Sequence, residues 1–157
     1  MGKDGRRFRM LKFRSMQQDA DALFLGLLGR NEVTGPMFKI RRDPRVTRVG
    51  RFLRRYSLDE LPQLFNVLHG DMSLVGPRPE RPEFVAQFRQ EIPGYMQTHM
   101  VKAGITGWAQ VNDLRGSSDL GKRIQYDLYY IDNWSLWFDL RILALTFWHV
   151  FRSRNAY

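Results

Sequence analysis

The chain has 157 residues, 43% hydrophobic and 13% aromatic, which suits one well-packed domain and leaves little room for two. Its formal net charge is +9, and residues 1–55 hold 15 Lys and Arg against 5 Asp and Glu, so the whole excess lies in the first third. This balance favours a polyanionic partner (nucleic acid, an anionic membrane surface or a phosphorylated substrate), although a solvated basic face has the same composition. The absence of cysteine excludes disulfides and Cys-ligated zinc, and no apolar run approaches the roughly 20 residues that span a bilayer.

The first third of the chain predicts short elements. Residues 8–14 partly alternate apolar and basic side chains, which predicts a short strand or hairpin arm. Residues 17–29 predict a helix ending at Gly29, and residues 37–40 a second short strand.

From Thr47 the apolar spacing becomes helical, and a second helical stripe follows Ser57 and ends at Gly70. The rigid sequence Gly-Pro-Arg-Pro at 76–79 predicts a loop. Beyond it the patterns predict a helix over 80–92, an extended segment over 101–112 and a helix over 119–132.

The last apolar segment, 134–151, contains three Trp and ends near Arg152 and Arg154. Tryptophan beside a basic end is typical of helices at a membrane interface. A buried C-terminal helix would show the same periodicity, so both interpretations stand at this stage.

Two interpretations also fit the stretch around Asp59. Ser57 and Glu60 have the spacing of a helix capping box, which would place Asp59 in a first helical turn. The same carboxylate, with Arg54 and Arg55 just upstream, should stay ionised where phosphate can bind. It could then attack phosphorus while Glu60 holds Mg²⁺.

A second candidate is Arg78, which lies between Pro77 and Pro79. The two prolines fix the backbone, so the loop could aim one guanidinium at a phosphate. A plain turn with an exposed arginine is the alternative. Motifs for zinc proteases, phosphate-binding P-loops and serine hydrolases are missing from the sequence.

Six segments, in this order, resemble the bacterial sugar transferases, which are polyprenyl-phosphate hexose-1-phosphate transferases, also called monotopic phosphoglycosyl transferases. They are KFRSM (12–16), DPRVTRVG (43–50), SLDELPQ (57–63), MSLVGPRP (72–79), GITGWAQV (104–111) and YIDNWSL (130–136). The resemblance runs from about residue 2 to residue 151, and six ordered segments make it specific.

The resemblance implies transfer of a hexose 1-phosphate from a UDP-sugar to a polyprenyl (undecaprenyl) phosphate, with release of UMP, as the first step of exopolysaccharide or glycan synthesis. It implies that Asp59 is the nucleophile of an aspartyl phospho-sugar intermediate and that Glu60 is its partner and the Mg²⁺ ligand. The substrate- and phosphate-binding residues expected on this basis are Lys12, Arg54, Arg55, Arg78, Gln110 and Asp127.

The fold implied is a compact, mostly helical α+β domain with short strands or a β-hairpin and amphipathic membrane-interface helices, on the cytoplasmic face of the bacterial inner membrane. Family members carry a re-entrant membrane helix just upstream of the segment that matches Gly2 onward. We therefore expect residues 1–157 to be a single catalytic domain without that helix, peripheral or soluble. The partners expected are a UDP-hexose, polyprenyl phosphate and an anionic membrane surface, without nucleic acid.

A different class of protein would explain part of the pattern. A non-catalytic basic module that binds anionic membrane or nucleic acid accounts for the N-terminal charge, but it does not account for Asp59 and Glu60 ahead of a Pro-Arg-Pro loop. No helix-turn-helix, RNP or zinc-finger motif supports nucleic acid.

Overall fold

The computed structural model describes residues 1–32, 38, 40, 42–114 and 119–152. This part of the chain is mostly helical, as the family resemblance implies. Its α-helices are α1 (Ala20–Leu27), α2 (Arg48–Arg55), α3 (Gln63–Leu68), α4 (Pro82–Glu91), α5 (Trp108–Val111), α6 (Leu120–Asp132) and α7 (Leu136–Arg152). Short 3-10 segments cover Lys3–Gly5, Leu28–Arg30, Leu58–Glu60 and Tyr95–Met100.

Two short strands, β1 (Ser73–Val75) and β2 (Gly104–Thr106), pair in parallel, with Ser73 opposite Gly104 and Val75 opposite Thr106. A parallel pair needs a long crossover, and here α4 and the Tyr95–Met100 segment supply it. The α+β class is therefore confirmed, whereas a β-hairpin is not what these strands form.

The end of β1 lies unusually close to β2 because glycines line the contact. A Cβ atom added at Gly104 would come within 2.2 Å of the Gly76 nitrogen, and one at Gly107 within 2.3 Å of the Gly76 carbonyl oxygen. The Gly104 N–H also donates to the Pro77 carbonyl at 2.8 Å. The loop that follows β1 is thus tied directly to β2.

The core consists of two clusters of buried side chains, one around the strands and α7, the other between α4 and α6. Their members are Val75, Val111, Tyr130 and Ile142 in the first cluster, and Val85, Phe88, Tyr95 and Ile124 in the second. The second cluster anchors the crossover onto α6, so the loop after β1 has packed elements on both sides.

The predicted helices over 17–29, 80–92 and 119–132 match α1, α4 and α6 within a few residues. The extended segment predicted over 101–112 is only partly right, since β2 covers three residues and α5 follows at Trp108. The run contains Gly107, which adopts an extended backbone just before that short helix.

The strand predicted over residues 8–14 is wrong. The described backbone there forms no ladder; the nearest bridge is an antiparallel pair of Met16 with Val46. Its peptide groups bond instead to the Asn66 side chain and to the backbone carbonyl of Asp59. In the strand predicted over 37–40, residues 37 and 39 lie outside the described residues, and residues 38 and 40 belong to no regular element.

The capping box at Ser57 is also wrong. Ser57 has a left-handed backbone (φ 54°) and no side-chain capping bond, and residues Leu58–Glu60 form a 3-10 turn. Helix α3 begins later, at Gln63, directly after Pro62. The side-chain cap in this region is Thr47, whose Oγ1 accepts the Gly50 N–H at 2.8 Å at the start of α2.

Helix α7 shows features of both interpretations made from its sequence. Ile142 on one face is fully buried, while Trp137 on the other is 81% exposed. Among the described residues, no helix combines the length and apolarity needed to cross a bilayer.

Candidate active site

The two candidate carboxylates lie on the 3-10 turn that joins α2 to α3. Asp59 is 6% exposed, and its backbone carbonyl accepts the N–H of Phe13 at 2.9 Å. This bond brings the N-terminal segment, which we call the strap (residues 9–17), alongside the turn. Two parts of the chain that are almost 50 residues apart therefore meet at Asp59 and Glu60, which we call the dyad.

Lys12 on the strap is the first cation at the carboxylates. Its Nζ lies 2.9 Å from Glu60 Oε1 and 3.5 Å from Asp59 Oδ2. The Lys12 side chain is 37% exposed. The ammonium group therefore contacts both carboxylates while it remains accessible to a ligand.

Arg78 is the second cation, and it follows the two carboxylates in the sequence, whereas Lys12 precedes them. Its Nη2 donates to Glu60 Oε1 at 2.8 Å. The preceding residue, Pro77, is held to β2 by the bond from Gly104, so the backbone that carries this guanidinium is fixed. The structure thus brings together four of the predicted site residues.

The electrostatics keep this cluster charged. Burial alone would raise the pKa of Glu60, but the charges and hydrogen bonds of Arg78 and Lys12 outweigh it and lower the pKa to about 2. Burial works against the charge of Arg78 as well, yet the pairing with Glu60 raises the pKa of the guanidinium above its ordinary value. At neutral pH the site is an ionised carboxylate held between two cations.

The two arginines at the end of α2 differ in their surroundings. Arg54 donates from Nε to Ser15 Oγ at 2.8 Å, so it faces the strap. Arg55 is exposed, with its guanidinium 5.7 Å from the ring centre of Tyr56. Arg54 is therefore built into the surroundings of the turn, and Arg55 lies on the surface.

Asp127 lies in α6 and lines a cavity that Arg78 also lines, together with Glu80, His99 and Arg123. The pKa of Asp127 is raised to about 7, chiefly by burial; the positive charge of Arg123 opposes the rise and the negative charge of Glu80 adds to it. The Arg123 guanidinium itself bonds to Glu80 Oε1 at 2.5 Å. Arg78 is thus the link between the dyad and this second polar cluster.

Gln110, the remaining predicted residue, is buried on α5. Sequence reasoning missed several residues that support the site. They are Ser15, Asn66, Glu80, His99 and Arg123. Apart from His99, which contacts the nearby Tyr95 and Thr98, their partners lie far away in sequence, up to 57 residues for Asn66, so no local spacing could have revealed them.

A divalent cation would find limited ligands from the protein alone. Among the described residues, no group of three or more His, Cys, Asp or Glu side chains could hold a metal ion. Mg²⁺, however, is usually bound through one or two carboxylates and substrate phosphates, with several waters retained. The consecutive carboxylates of Asp59 and Glu60 fit that mode. Lys12 and Arg78 both contact Oε1 of Glu60, so these two contacts do not use its second oxygen.

A carboxylate pair with two cations can bind phosphate and present an ionised oxygen to phosphorus. Comparison with known proteins agrees with this chemistry. A family model described as bacterial sugar transferase matches residues 1–153.

Three similar proteins illustrate the range of relatives. The chain is 48% identical, over 99% of its length, to the UDP-glucose:undecaprenyl-phosphate glucose-1-phosphate transferase of Escherichia coli (strain K12). It is 49% identical over 93% of its length to the UDP-N-acetylgalactosamine-undecaprenyl-phosphate N-acetylgalactosaminephosphotransferase of Aeromonas hydrophila. It is 42% identical over its whole length to the undecaprenyl-phosphate galactose phosphotransferase of Salmonella typhimurium. The chain spans about a third of the length of these relatives: 32%, 32% and 33%.

Proposed function

The chain belongs to the bacterial sugar transferase family, and from this we propose that it transfers a hexose 1-phosphate from a UDP-sugar to undecaprenyl phosphate, the first step in building a polysaccharide. The observation that carries the proposal is the arrangement at the turn: Lys12 and Arg78 both contact Glu60, beside the buried carboxylate of Asp59. Such a group can hold a pyrophosphate and present a nucleophile to it.

The reaction would proceed in two displacements. In the first, an Asp59 carboxylate oxygen forms a bond to the sugar-linked phosphorus, the bond from that phosphorus to the bridging oxygen breaks, and UMP leaves with the electron pair. In the second, a phosphate oxygen of the polyprenyl carrier attacks the same phosphorus, and the bond to Asp59 breaks. Each displacement places charge on phosphate oxygens, where cations lower the barrier most.

Each cation has a distinct position for this work. Lys12 reaches the carboxylates from the strap and Arg78 from the loop after β1, so the two can hold phosphate oxygens from different directions. We assign Arg54, which faces the strap at Ser15, to the same phosphate site and the exposed Arg55 to its edge. We propose that Gln110 and Asp127 line the part of the site that binds the substrate.

Mg²⁺ is part of the proposal. Glu60, with the substrate phosphates, would hold the ion. When bound, it would neutralise charge on the pyrophosphate.

The proposed donor is a UDP-hexose. The relatives are named for glucose, galactose and N-acetylgalactosamine, with UDP or undecaprenyl phosphate in their names. These three UDP-sugars are therefore the donors to test first.

We propose from the family resemblance that the chain lies at the cytoplasmic face of an anionic membrane, and exposed apolar side chains next to basic ones support the contact with lipid. On α2 and α3, Phe52 is 57% and Leu68 81% exposed, and Arg51 and Arg55 are exposed on α2. Apolar side chains beside arginines are what interfacial helices present to lipid headgroups. Such a surface would bring the site to a lipid-linked phosphate.

The first displacement can be tested without a lipid acceptor. The chain is incubated with Mg²⁺ and each UDP-sugar in turn; UMP is measured, and the intact mass of the protein is recorded. We expect a stoichiometric burst of UMP and a mass gain of one sugar phosphate, both lost in Asp59→Asn and on removal of Mg²⁺ with EDTA. Addition of undecaprenyl phosphate in detergent should remove the mass gain and give continuous UMP release.

Asp21→Asn is the matched control, because this aspartate lies on the exposed surface of α1. Its burst should equal that of the wild type. UMP release that survives in Asp59→Asn would overturn the assignment of the nucleophile. Tight, salt-sensitive nucleic-acid binding without any UMP release would favour the non-catalytic basic module instead.

A further inference from the structure

Asn66 connects helix α3 to the strap by two side-chain hydrogen bonds. Its Oδ1 accepts the N–H of Leu11 at 3.0 Å, and its Nδ2 donates to the carbonyl of Arg9 at 2.8 Å. The side-chain amide thereby pairs with the strap as a neighbouring peptide would in a β-ladder. Lys12 is the next residue along the strap.

The side chain of Asn66 is separate from the bonds that close its own helix. Its backbone carbonyl accepts the N–H groups of Asp71 and Met72, which ends α3 and leads into β1. Substitution of the side chain leaves those backbone bonds available. Asn66 is 3% exposed, so water cannot easily replace the lost partners of Leu11 and Arg9.

Lys12 depends on such support because the strap around it has no regular secondary structure. A lysine side chain has four rotatable bonds, and fixing its ammonium group at one place costs conformational entropy. On the far side of Lys12, the N–H of Phe13 bonds to the Asp59 carbonyl. Lys12 is therefore held between two fixed points, Asn66 and the turn that carries the dyad.

We propose that Asn66 is a positioning residue, whose amide holds the strap so that the Lys12 ammonium lies against Asp59 and Glu60. The proposal rests on the proposed function in that it gives Lys12 a part in the first displacement. It predicts that the loss of Asn66 slows the reaction by displacing Lys12.

This prediction is tested by a double-mutant cycle on the rate of the UMP burst with UDP-glucose. We expect Asn66→Ala to slow the burst about tenfold and Lys12→Met about a hundredfold, with the double variant no slower than Lys12→Met alone. Ile142→Val, a buried change in the core around the strands, serves as the control for a general loss of stability. A double variant slowed by the product of the two single effects would overturn the proposal.

A second measurement does not need activity. Amide hydrogen exchange should become at least about tenfold faster at both Leu11 and Phe13 in Asn66→Ala, and should stay unchanged there in Ile142→Val. Faster exchange at Leu11 with Phe13 unchanged would show that the amide does not set the position of Lys12, and would overturn the proposal. If the wild type releases no UMP from any UDP-sugar, the proposed function fails, and the exchange result still decides whether Asn66 holds the strap.

Asn66→Asp is the second variant if Asn66→Ala does not fold, as judged by circular dichroism. It has the same shape and keeps an acceptor for the Leu11 N–H, but it loses the donor to the Arg9 carbonyl. We expect its Leu11 amide to stay protected and its burst to be slowed less than in Asn66→Ala. A burst in Asn66→Asp equal to that of Lys12→Met, with Leu11 and Phe13 protected, would contradict the positioning role.

Discussion

The guanidinium of Arg78 donates to Oε1 of Glu60 at 2.8 Å, although a helix and a strand separate the two residues in the chain. A lysine at position 78 would keep the charge but could not reproduce the planar, multi-donor geometry of the guanidinium. We expect Arg78→Lys to slow UMP release by on the order of 100-fold, as for other losses of a fixed charge-stabilising donor. Burst kinetics with UDP-glucose measure the effect.

The control for this prediction is Arg81→Lys, three residues further on, where the arginine is exposed at the start of α4. Its burst should stay within about twofold of the wild type, since surface charge replacements seldom change local structure. An Arg78→Lys variant that is as fast as Arg81→Lys would remove Arg78 from the reaction.

The contact of β1 with β2 predicts a large effect for one small substitution. A methyl group at Gly104 would lie 2.2 Å from the Gly76 nitrogen and 2.5 Å from the Thr106 carbonyl oxygen, so the strands must move apart. Overpacking of this kind costs about 1–3 kcal/mol. We expect Gly104→Ala to lower the free energy of unfolding by about that amount in a urea titration.

Gly26 offers the opposite case, because nothing lies within 4 Å of an added methyl group and the residue is exposed in the last turn of α1. Gly26→Ala should raise the free energy of unfolding by about 0.5–1 kcal/mol. Equal effects of the two substitutions would mean that the close approach of the strands is absent in solution.

Asp127 predicts a dependence of stability on pH. Burial raises its pKa from 3.8 to about 7 in the folded chain, so the folded state binds the proton more tightly than the unfolded state does. The resulting contribution is fully favourable below pH 4 and is lost as the pH rises to about 7. Asp127→Asn should therefore gain stability over the wild type across that window, at a rate of up to about 1.4 kcal/mol per pH unit.

His99, which lines the same cavity, changes stability in the opposite direction. Burial lowers its pKa, so its contribution becomes more favourable as the pH rises towards the ordinary value of 6.5. The difference between wild type and Asp127→Asn cancels this term, provided both are unfolded by urea at each pH. A difference that does not vary between pH 4 and pH 7 would show that Asp127 has an ordinary pKa.

The exposed apolar side chains predict measurable binding to lipid. Leu68→Ser and Trp137→Ser each remove a side chain that is 81% exposed, so the fold should be unaffected. Insertion of a side chain of this size into lipid gains about 1.5–3 kcal/mol. We expect each variant to bind vesicles of anionic phospholipid at least about tenfold more weakly in a sedimentation assay.

Gln90→Ser, an exposed polar change on α4, is the control and should bind vesicles like the wild type. Binding that is insensitive to Leu68→Ser and Trp137→Ser, but lost at high salt, would indicate that the arginines alone hold the chain to the membrane. Unchanged binding in all conditions would exclude these faces as the contact.

The parts of the fold that the sequence predicts best are those with local causes. Helix α6 is expected over 119–132 and runs from Leu120 to Asp132, because its cap and its apolar spacing lie within the same segment. The alternation in the strap predicts a strand, but the partners of the strap are the Asn66 side chain and the Asp59 carbonyl, which no alternation of apolar and basic residues can encode.

The turn at Ser57–Glu60 shows the same limit at the site itself. The spacing of Ser57 and Glu60 matches a capping box, yet the left-handed Ser57 and the 3-10 turn send Glu60 towards Lys12 and Arg78. The family resemblance implies that Asp59, Glu60, Lys12 and Arg78 belong to one site, and the structure brings these four together. The surroundings of Arg78 and Asp127 depend on tertiary contacts, so Glu80 and Arg123 could not be foreseen.

The charges at the turn cancel one another. Lys12 and Arg78 carry two positive charges, and Asp59 and Glu60 carry two negative ones, so the cluster is electrically neutral before any ligand binds. A pyrophosphate that enters must compete with the carboxylates for the same two cations. We expect the two cations to turn from Glu60 to the phosphate oxygens as the pyrophosphate enters, so the charges that balance the empty site become the charges that hold the substrate beside Asp59.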